Sequence, residues 1–220
     1  MIPVYFISGL GADATVFERL ELDPQIEVNH LPWLAPKANE KMFDYAQRMI
    51  KDIQDPENSI IVGLSFGGVM AIEIARSIKV KHVILLSSIK NRSEMPLQLD
   101  MIGLLRLNRL IPASKLMHYH ELVSWFFGVR PGREKNLFDR LLEQTDEALV
   151  DWSSEQILTW KGEHNIRNIT HIHGTADTVF PIKRVKPDHV IKGGPHFMVY
   201  THAKAVSKIL NSVILSLSEN

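Results

Sequence analysis

Short apolar stretches along the chain alternate with longer stretches in which apolar residues recur every three or four positions. Short runs rich in β-branched residues predict buried strands, and the longer spacing predicts amphipathic helices. The strands predicted in this way are residues 3–7, 26–31, 60–62, 82–88, 169–173 and 189–191. The helices predicted around them are residues 12–20, 39–54 with Asn39 or a neighbour as the cap, the stretch after Gly67, and residues 197–217.

This alternation predicts the fold class. Strands that alternate with helices form a parallel sheet with right-handed crossovers and helices on both faces. We therefore expect an α/β protein with a doubly wound, parallel sheet built from the six predicted strands. Ligands of such sheets bind outside the carboxyl ends of the strands, so the residues after each strand are the first candidates for chemistry.

Residues 89–151 interrupt the alternation, because amphipathic helices follow one another there with no strand between them. These helices are predicted at residues 97–110, 114–127 and 134–149. We expect this insertion to form a helical cap over the strand ends, and residues 1–88 and 152–220 to form the core. In the cap, Trp125 and Phe126 are candidates for lining an apolar substrate pocket. The alternative is that they only pack the cap onto the core.

The most informative motif follows the third predicted strand, where the pattern G-x-S-x-G places Ser65 at the apex of a sharp turn. A serine on such a turn has a strained backbone, and Gly63 and Gly67 supply the small neighbours that the turn requires. Gly68 lets the next helix pack close to the sheet. The motif predicts a nucleophilic serine at a helix N-terminus, where backbone N–H groups stabilise negative charge. The alternative is a glycine-rich turn whose serine only caps the helix.

A serine nucleophile needs a base to take its proton and an acid to orient that base. Asp177, in the loop after the fifth predicted strand, is the candidate acid, and His196, just ahead of the last helix, is the candidate base. Each has a simpler alternative, since aspartate is common in turns and a histidine at a helix start needs no partner. The order Ser65, Asp177, His196, with each residue after a strand, favours a catalytic triad.

These motifs resemble those of the α/β-hydrolase superfamily over nearly the whole chain apart from the cap. The resemblance rests on G-x-S-x-G at Ser65, His-Gly-Thr-x-Asp ending at Asp177 and Gly-Gly-x-His-Phe around His196. It implies that Ser65 is the nucleophile, that His196 is the general base and then the general acid, and that Asp177 orients His196. It also implies an oxyanion hole formed by the backbone N–H groups of Leu10 and Phe66.

The chain departs from the superfamily pattern in two places. The usual His-Gly pair of the first loop is Ser8-Gly9 here, so the side-chain support of that loop differs, while the backbone donors are expected to remain. The chain also begins at what resembles the third strand of the superfamily, without the N-terminal antiparallel hairpin. The resemblance therefore implies an all-parallel sheet with the strand order 2-1-3-4-5-6.

Composition and charge narrow the function classes. The 220 residues include 25 basic and 25 acidic residues, which cancel, so charge gives no footprint for nucleic acid or an anionic membrane. No apolar stretch is long enough to span a bilayer, and the apolar start at residues 1–7 predicts a strand rather than a signal peptide. A chain without cysteine has no disulfide and no thiol nucleophile, and we expect a cytoplasmic protein.

Four further histidines and Ser88 are candidates for metal ligands or substrate contacts, and the sequence gives less support for these roles. His118 and His120 lie two positions apart in a predicted helix and so point apart, which disfavours metal binding. His171 and His173 share one face of a strand without an evident carboxylate partner, so we expect no metal there and expect His173 to support the acid loop. Ser88, at the end of the fourth predicted strand, is a candidate for substrate contact or for the turn into the cap.

The sequence thus predicts a serine hydrolase without cofactor or metal that acts on a small molecule through an acyl-enzyme on Ser65. An ester or thioester with an apolar portion fits the composition of the cap. Two alternatives stay open: C–C bond hydrolase, lyase or acyltransferase chemistry on the same triad, and a ligand-binding protein that retains the pocket without turnover.

Overall fold

A parallel β-sheet with helices on both faces forms the core of the computed structural model, which describes residues 1–106, 108, 110–162 and 166–218. The strands in these residues are β1 (Ile2–Ile7), β2 (Ile26–His30), β3 (Ile60–Leu64), β4 (His82–Leu86), β5 (Ile169–Gly174) and β6 (His189–Ile191). They form one sheet of order β2-β1-β3-β4-β5-β6, in which neighbouring strands are parallel. The predicted fold class and strand order are confirmed.

The central strands are apolar along their whole length because both of their faces are buried. On β1, Val4 and Phe6 belong to one apolar cluster, whereas Tyr5 and Ile7 belong to the cluster on the opposite face. Continuous apolar runs of this kind are typical of parallel strands that helices cover on each side.

The helices of the described residues surround this sheet. They are α1 (Met42–Met49), α2 (Phe66–Ser77), α3 (Leu97–Leu104), α4 (Ala113–Met117), α5 (His120–Phe127), α6 (Arg133–Gln144), α7 (Glu147–Thr159), α8 (Met198–Thr201) and α9 (Ala203–Ser218). Helices α1 and α2 cover the face that contains Tyr5, and α9 covers the face that contains Phe6. The predicted final helix is divided at His202 between α8 and α9. None of the helices in the described part of the chain is long and apolar enough to cross a membrane.

Three predicted helices are shorter than expected. The segment predicted at 12–20 contains only a 3-10 turn at Ala14–Phe17. Lys41, not Asn39, occupies the N-cap position of α1 and makes no capping bond with its side chain, while Asn39 has a left-handed backbone (φ 58°). The helix predicted at 97–110 ends at Leu104, and Leu107 and Arg109 in that prediction lie outside the described residues.

The last two predicted cap helices each divide in two. The helix predicted at 114–127 is interrupted at Tyr119, which separates α4 from α5. The helix predicted at 134–149 is interrupted at Thr145, which is extended and separates α6 from α7. Because α7 continues past residue 151, a helix rather than a loop crosses the predicted cap boundary.

Two neighbouring side chains account for the break between α6 and α7. The Asp146 carboxylate caps α7 by accepting a hydrogen bond of 3.1 Å from the Leu149 N–H, which favours a new helix start. The Thr145 hydroxyl lies 2.7 Å from the Gly11 carbonyl oxygen. The break therefore joins the cap to the loop that follows β1.

Candidate active site

Ser65 forms the turn between β3 and α2 with a backbone (φ 53°, ψ −119°) that residues with a side chain seldom adopt. A Cβ atom on Gly67 would lie 2.3 Å from the Ser8 carbonyl oxygen, and one on Gly63 would lie 2.3 Å from the Gly67 carbonyl oxygen. Both positions therefore require glycine. The strained turn that the G-x-S-x-G motif predicts is present.

Ser88 lies beneath this turn. Its hydroxyl donates a hydrogen bond of 2.7 Å to the Ser65 carbonyl oxygen, and the residue is 0% exposed. A Cβ atom on Gly68 would lie 2.4 Å from the Ser88 Oγ, so α2 and the chain after β4 are in direct contact. The Ser88 side chain has no exposed surface and holds the turn at Ser65, while its contact with substrate stays a prediction.

Ser65, His196 and Asp177 form a continuous chain of hydrogen bonds. The Ser65 Oγ lies 2.9 Å from the His196 Nε2, and the His196 Nδ1 lies 2.9 Å from the Asp177 Oδ2. Asp177 follows β5 and His196 follows β6, at the edge of the sheet where α2 begins. At these distances an imidazole can take a proton from the serine while the carboxylate fixes the orientation of the ring.

The buried carboxylate of Asp177 is ionised. Its Oδ1 accepts hydrogen bonds from two backbone N–H groups at 2.9 and 2.8 Å, the shorter one from Phe180. Burial raises the pKa of Asp177, but the charge and hydrogen bond of His196, the nearby His173 and the Phe180 N–H outweigh burial and hold the pKa below its usual range. A carboxylate beside Nδ1 keeps the proton of neutral His196 on that nitrogen, so Nε2 is free to accept the proton of Ser65.

Two buried histidines on β5 lie behind Asp177. The His173 Nε2 lies 2.8 Å from the Phe180 carbonyl oxygen, which only accepts, so we infer that this nitrogen carries the proton. The His173 Nδ1 then accepts from the His171 Nε2 at 3.1 Å. Burial, and after it the neighbouring His173, lowers the pKa of His171 to about 3. The His173 Nε2 also lies 3.4 Å from the Asp177 Oδ2, which fits the expected support of the acid loop.

The loop after β1 passes beside Ser65. A Cβ atom on Gly9 would lie 3.6 Å from the Ser65 Cβ. The N–H of Phe66 is the first of α2 and has no partner within the helix. Within the described residues, the N–H of Leu10 donates no hydrogen bond. The two backbone N–H groups expected to bind an oxyanion therefore have no hydrogen-bond acceptor among the described residues.

The helices between β4 and β5, predicted to form the cap, contact the site through the end of α5. The Phe127 ring packs edge-on against the His196 ring, with 5.0 Å between the centroids. The Phe127 carbonyl oxygen accepts a hydrogen bond of 3.2 Å from the Phe197 N–H, and the Phe126 carbonyl oxygen accepts one from the Thr178 hydroxyl. The end of α5 thus packs against the loops that hold Asp177 and His196.

The two side chains expected to line a pocket lie on the surface of the cap, since Trp125 is 72% exposed and Phe126 is 38% exposed. A cavity of about 380 Å³ lies between the loop after β1, the segment after β2 and the junction of α6 with α7. Its apolar lining includes Phe6, Phe17, Trp33, Leu141 and Leu149. Its polar lining includes Ser8, Asp13, His30, Gln144, Thr145 and Asp146. Among the described residues, no group of three or more histidines and carboxylates could hold a metal ion.

Solved structures with a similar fold cover nearly the whole chain. A malate-bound thermophilic esterase from Thermogutta terrifontis has a TM-score of 0.70 at 14% sequence identity, over 99% of this chain and 90% of that one. A hydrolase from Oleispira antarctica has a TM-score of 0.72 at 11% identity, over 98% of this chain and 91% of that one. The chain has the α/β-hydrolase fold.

A thioesterase shares this α/β-hydrolase fold. The type II thioesterase BorB of the borrelidin biosynthetic cluster has a TM-score of 0.65 at 15% identity, over 96% of this chain and 92% of that one. No protein-family model and no curated protein matches the chain.

Sequence reasoning does not identify the contacts that two side chains make at this site. Trp33 contacts the loop after β1, and the only signal for it is an aromatic residue shortly after a strand end. Phe127 contacts His196 and belongs to the aromatic run that begins at Trp125. The choice among the three aromatic residues depends on the rotation of α5, which the pattern does not fix.

Asp177→Asn should lower kcat on the order of 10⁴-fold. The amide oxygen can still accept the two backbone N–H groups, so the loop should keep its shape. The amide N–H that then faces the His196 Nδ1 forces the imidazole proton onto Nε2, where it blocks proton transfer from Ser65. Steady-state ester hydrolysis measures the effect, and thermal unfolding checks the fold.

Two other carboxylates provide controls for that variant. Asp151 accepts hydrogen bonds from the Ser114 N–H and hydroxyl at 2.8 and 2.9 Å, and Asp188 accepts one from the His171 N–H at 2.8 Å. Asp151→Asn and Asp188→Asn should retain turnover. A near-normal rate for Asp177→Asn, with loss of turnover in either control, would assign the acid to another residue.

His171→Gln should weaken the pH dependence of stability. An unfolded histidine binds a proton below about pH 6.5, whereas folded His171 remains neutral down to about pH 3. The contribution of His171 to the free energy of unfolding is therefore fully present above about pH 6.5. It is lost as the pH falls, by up to about 1.4 kcal/mol per pH unit. Urea unfolding between pH 6 and 4 should show a shallower slope in His171→Gln. His189→Gln, at an exposed position, is the control, and equal slopes in the two variants would contradict the account.

Proposed function

We propose that this protein is a serine hydrolase that cleaves an ester or thioester of a small, partly apolar molecule through an acyl-enzyme on Ser65. The observation that carries the proposal is the hydrogen-bond chain from the Ser65 Oγ through His196 to Asp177, at 2.9 Å for each link. A serine that only capped α2 would need neither a strained backbone nor a buried imidazole–carboxylate pair.

The proposed reaction has two stages. His196 Nε2 takes the proton of Ser65 while Oγ bonds to the substrate carbonyl carbon, and the N–H groups of Leu10 and Phe66 stabilise the resulting oxyanion. The bond to the alcohol or thiol then breaks, and His196 gives its proton to that leaving group. Water next attacks the acyl-enzyme, passes a proton to His196 and releases the acid, and the proton returns to the Ser65 Oγ.

We propose that the cavity beside the loop after β1 holds the apolar portion of the substrate. Ser8 forms part of its wall, and the next residue, Gly9, lies against Ser65. The volume of about 380 Å³ is near the lower end of ligand pockets, which favours a small substrate. Leu141 and Leu149, from the cap side, make that wall apolar. The esterases and the thioesterase with this fold support an ester or thioester as the reacting group.

We also propose the cytoplasm as the site of action, since a chain without cysteine suits a reducing compartment. Cell fractionation with immunodetection tests the location, and recovery of the protein mainly outside the cytoplasm would overturn it.

Ser65→Ala should lower kcat for p-nitrophenyl esters by roughly 10⁴–10⁶-fold, because the nucleophile is lost while the binding surface remains. Its free energy of unfolding should be equal to or slightly above that of the wild type, because strain at the turn is stored for function. Kinetics and urea unfolding test both statements. Retention of more than about a tenth of the wild-type rate would remove Ser65 from its role.

Substitutions of Leu149 should change the preference for acyl chain length. Leu149→Ala enlarges the cavity and should raise kcat/KM for longer esters relative to acetate, whereas Leu149→Phe should have the opposite effect. Each change should be about 10-fold or more, since one methylene in an apolar pocket contributes about 1–3 kcal/mol. A series of p-nitrophenyl esters measures the preference.

Leu122→Ala is the matched control, because Leu122 lies on the outer surface of the cap and is 60% exposed. It should leave the chain-length preference unchanged. If Trp125→Ala shifted the preference and the Leu149 variants did not, the apolar pocket would lie under the cap aromatics instead.

A further inference from the structure

Trp33 connects the segment after β2 to the loop after β1. Its indole Nε1 lies 3.1 Å from the Gly9 carbonyl oxygen and 3.0 Å from the Ser8 Oγ. The Ser8 hydroxyl donates its own proton to the Ala12 carbonyl oxygen at 2.6 Å, so it can only accept from the indole. The single N–H of Trp33 is therefore shared between two acceptors on adjacent residues of one loop.

The carbonyl that Trp33 contacts belongs to the peptide group that carries the Leu10 N–H. Because a peptide group is planar and trans, a bond that fixes the direction of the Gly9 C=O also fixes the direction of the Leu10 N–H. A hydrogen bond to the carbonyl also polarises the amide and strengthens its N–H as a donor. The Ala12 N–H donates to the same oxygen at 3.1 Å, so the peptide is held from two directions.

The ring of Trp33 contacts the other side of the oxyanion site as well. It stacks on the Phe66 ring with 5.3 Å between centroids and 21° between planes. Tyr45 holds the backbone next to Trp33, since its hydroxyl bonds to the N–H and the carbonyl oxygen of Leu34, both at 2.7 Å. One side chain on a fixed backbone thus contacts the Gly9 carbonyl, which shares a peptide group with the Leu10 N–H, and the ring of Phe66.

We propose that Trp33 is a positioning residue for the oxyanion hole, which it sets by orienting the Gly9–Leu10 peptide and by packing on Phe66. This inference rests on the proposed function, since an oxyanion forms only if Ser65 attacks a carbonyl. The superfamily's usual histidine is absent from the start of this loop, where Ser8 stands. The indole supplies side-chain support from the neighbouring strand connection.

The direct test replaces Trp33 by phenylalanine, which keeps an aromatic ring and removes the N–H. Trp33→Phe should lower kcat by about 10-fold or more. The loss should be smaller than the roughly 10²–10³-fold loss that is typical when an oxyanion donor itself is deleted. KM should change less than about 2-fold. The inhibition constant of a trifluoromethyl ketone, which adds to serine and forms an oxyanion, should rise by the same factor as kcat/KM falls.

Trp152→Phe is the matched control. The Trp152 ring also lies beside Phe66, at 6.2 Å, but its Nε1 donates to the Glu40 carbonyl oxygen at 2.9 Å rather than to the loop after β1. It should change kcat and ketone binding less than about 2-fold. An equal loss in both variants would mean that aromatic packing, not the N–H of Trp33, matters, and would overturn the inference.

The wall of the cavity also contains Trp33, so the kinetics are compared for acetate and for longer esters. An oxyanion effect is independent of chain length, and equal losses of kcat support the inference. A loss confined to longer esters would show that Trp33 acts as a pocket wall and would overturn it. If Trp33→Phe fails to fold, Trp33→β-(3-benzothienyl)alanine keeps the ring size and replaces only the N–H by sulfur, with the same expected results.

A failure of the proposed function can be told apart from a failure of this inference. If the wild type neither hydrolyses the ester panel nor reacts with a fluorophosphonate, the proposed function fails. The Leu10 amide is then followed by NMR in the free protein. A changed chemical shift and hydrogen-exchange rate in Trp33→Phe, and not in Trp152→Phe, supports the orienting role of Trp33. An unchanged Leu10 amide in both variants overturns it.

Discussion

The close contact between the start of α2 and the ends of β1, β3 and β4 is the constraint on which the rest of the site depends. Gly67 lies against the carbonyl oxygens at the end of β1, and Gly68 lies against the Ser88 side chain after β4. Where the chain turns from β3 into α2, Ser65 has a strained backbone. That geometry directs one hydroxyl toward His196 and brings the first N–H of α2 beside the loop after β1. A side chain at Gly67 would push α2 away from β1, and the Ser65 hydroxyl would be separated from the proposed oxyanion donors.

Buried polar groups that form hydrogen bonds with one another hold Asp177 and the loop around it in place. Asp177 remains ionised in an apolar environment because two backbone N–H groups and His196 bind its oxygens. Behind it, His173 is held between the Phe180 carbonyl oxygen and His171. Removal of one member of such a network leaves another buried without a partner, which costs more than the lost hydrogen bond itself. The cap adds to this support, since Phe127 packs on the imidazole and limits its rotation.

The sheet and the triad could be predicted from the sequence because their signals are local. Each strand is a short apolar run, and Ser65, Asp177 and His196 each follow a strand, so the topology of a parallel sheet brings them to one edge. The break at Thr145 has one local signal, the capping residue Asp146, but its contact with Gly11, 134 positions away, has none. The hydrogen bonds of Ser88 and Trp33 could not be predicted, because each side chain bonds to a backbone group that is distant in sequence. Apolar character makes Trp125 and Phe126 candidates for a pocket, but their exposure on the surface depends on how the helices pack, which the sequence does not show.

The central claim is that Ser65 carries the acyl group, and rapid-quench intact-mass spectrometry tests it most directly. Wild-type protein mixed with a p-nitrophenyl ester in the millisecond range should gain the mass of one acyl group, and peptide mapping should place that group on Ser65. The nitrophenolate released in the first turnover should equal the amount of acylated protein. Turnover without any acyl adduct, or an adduct on another residue that persists in Ser65→Ala, would contradict the account.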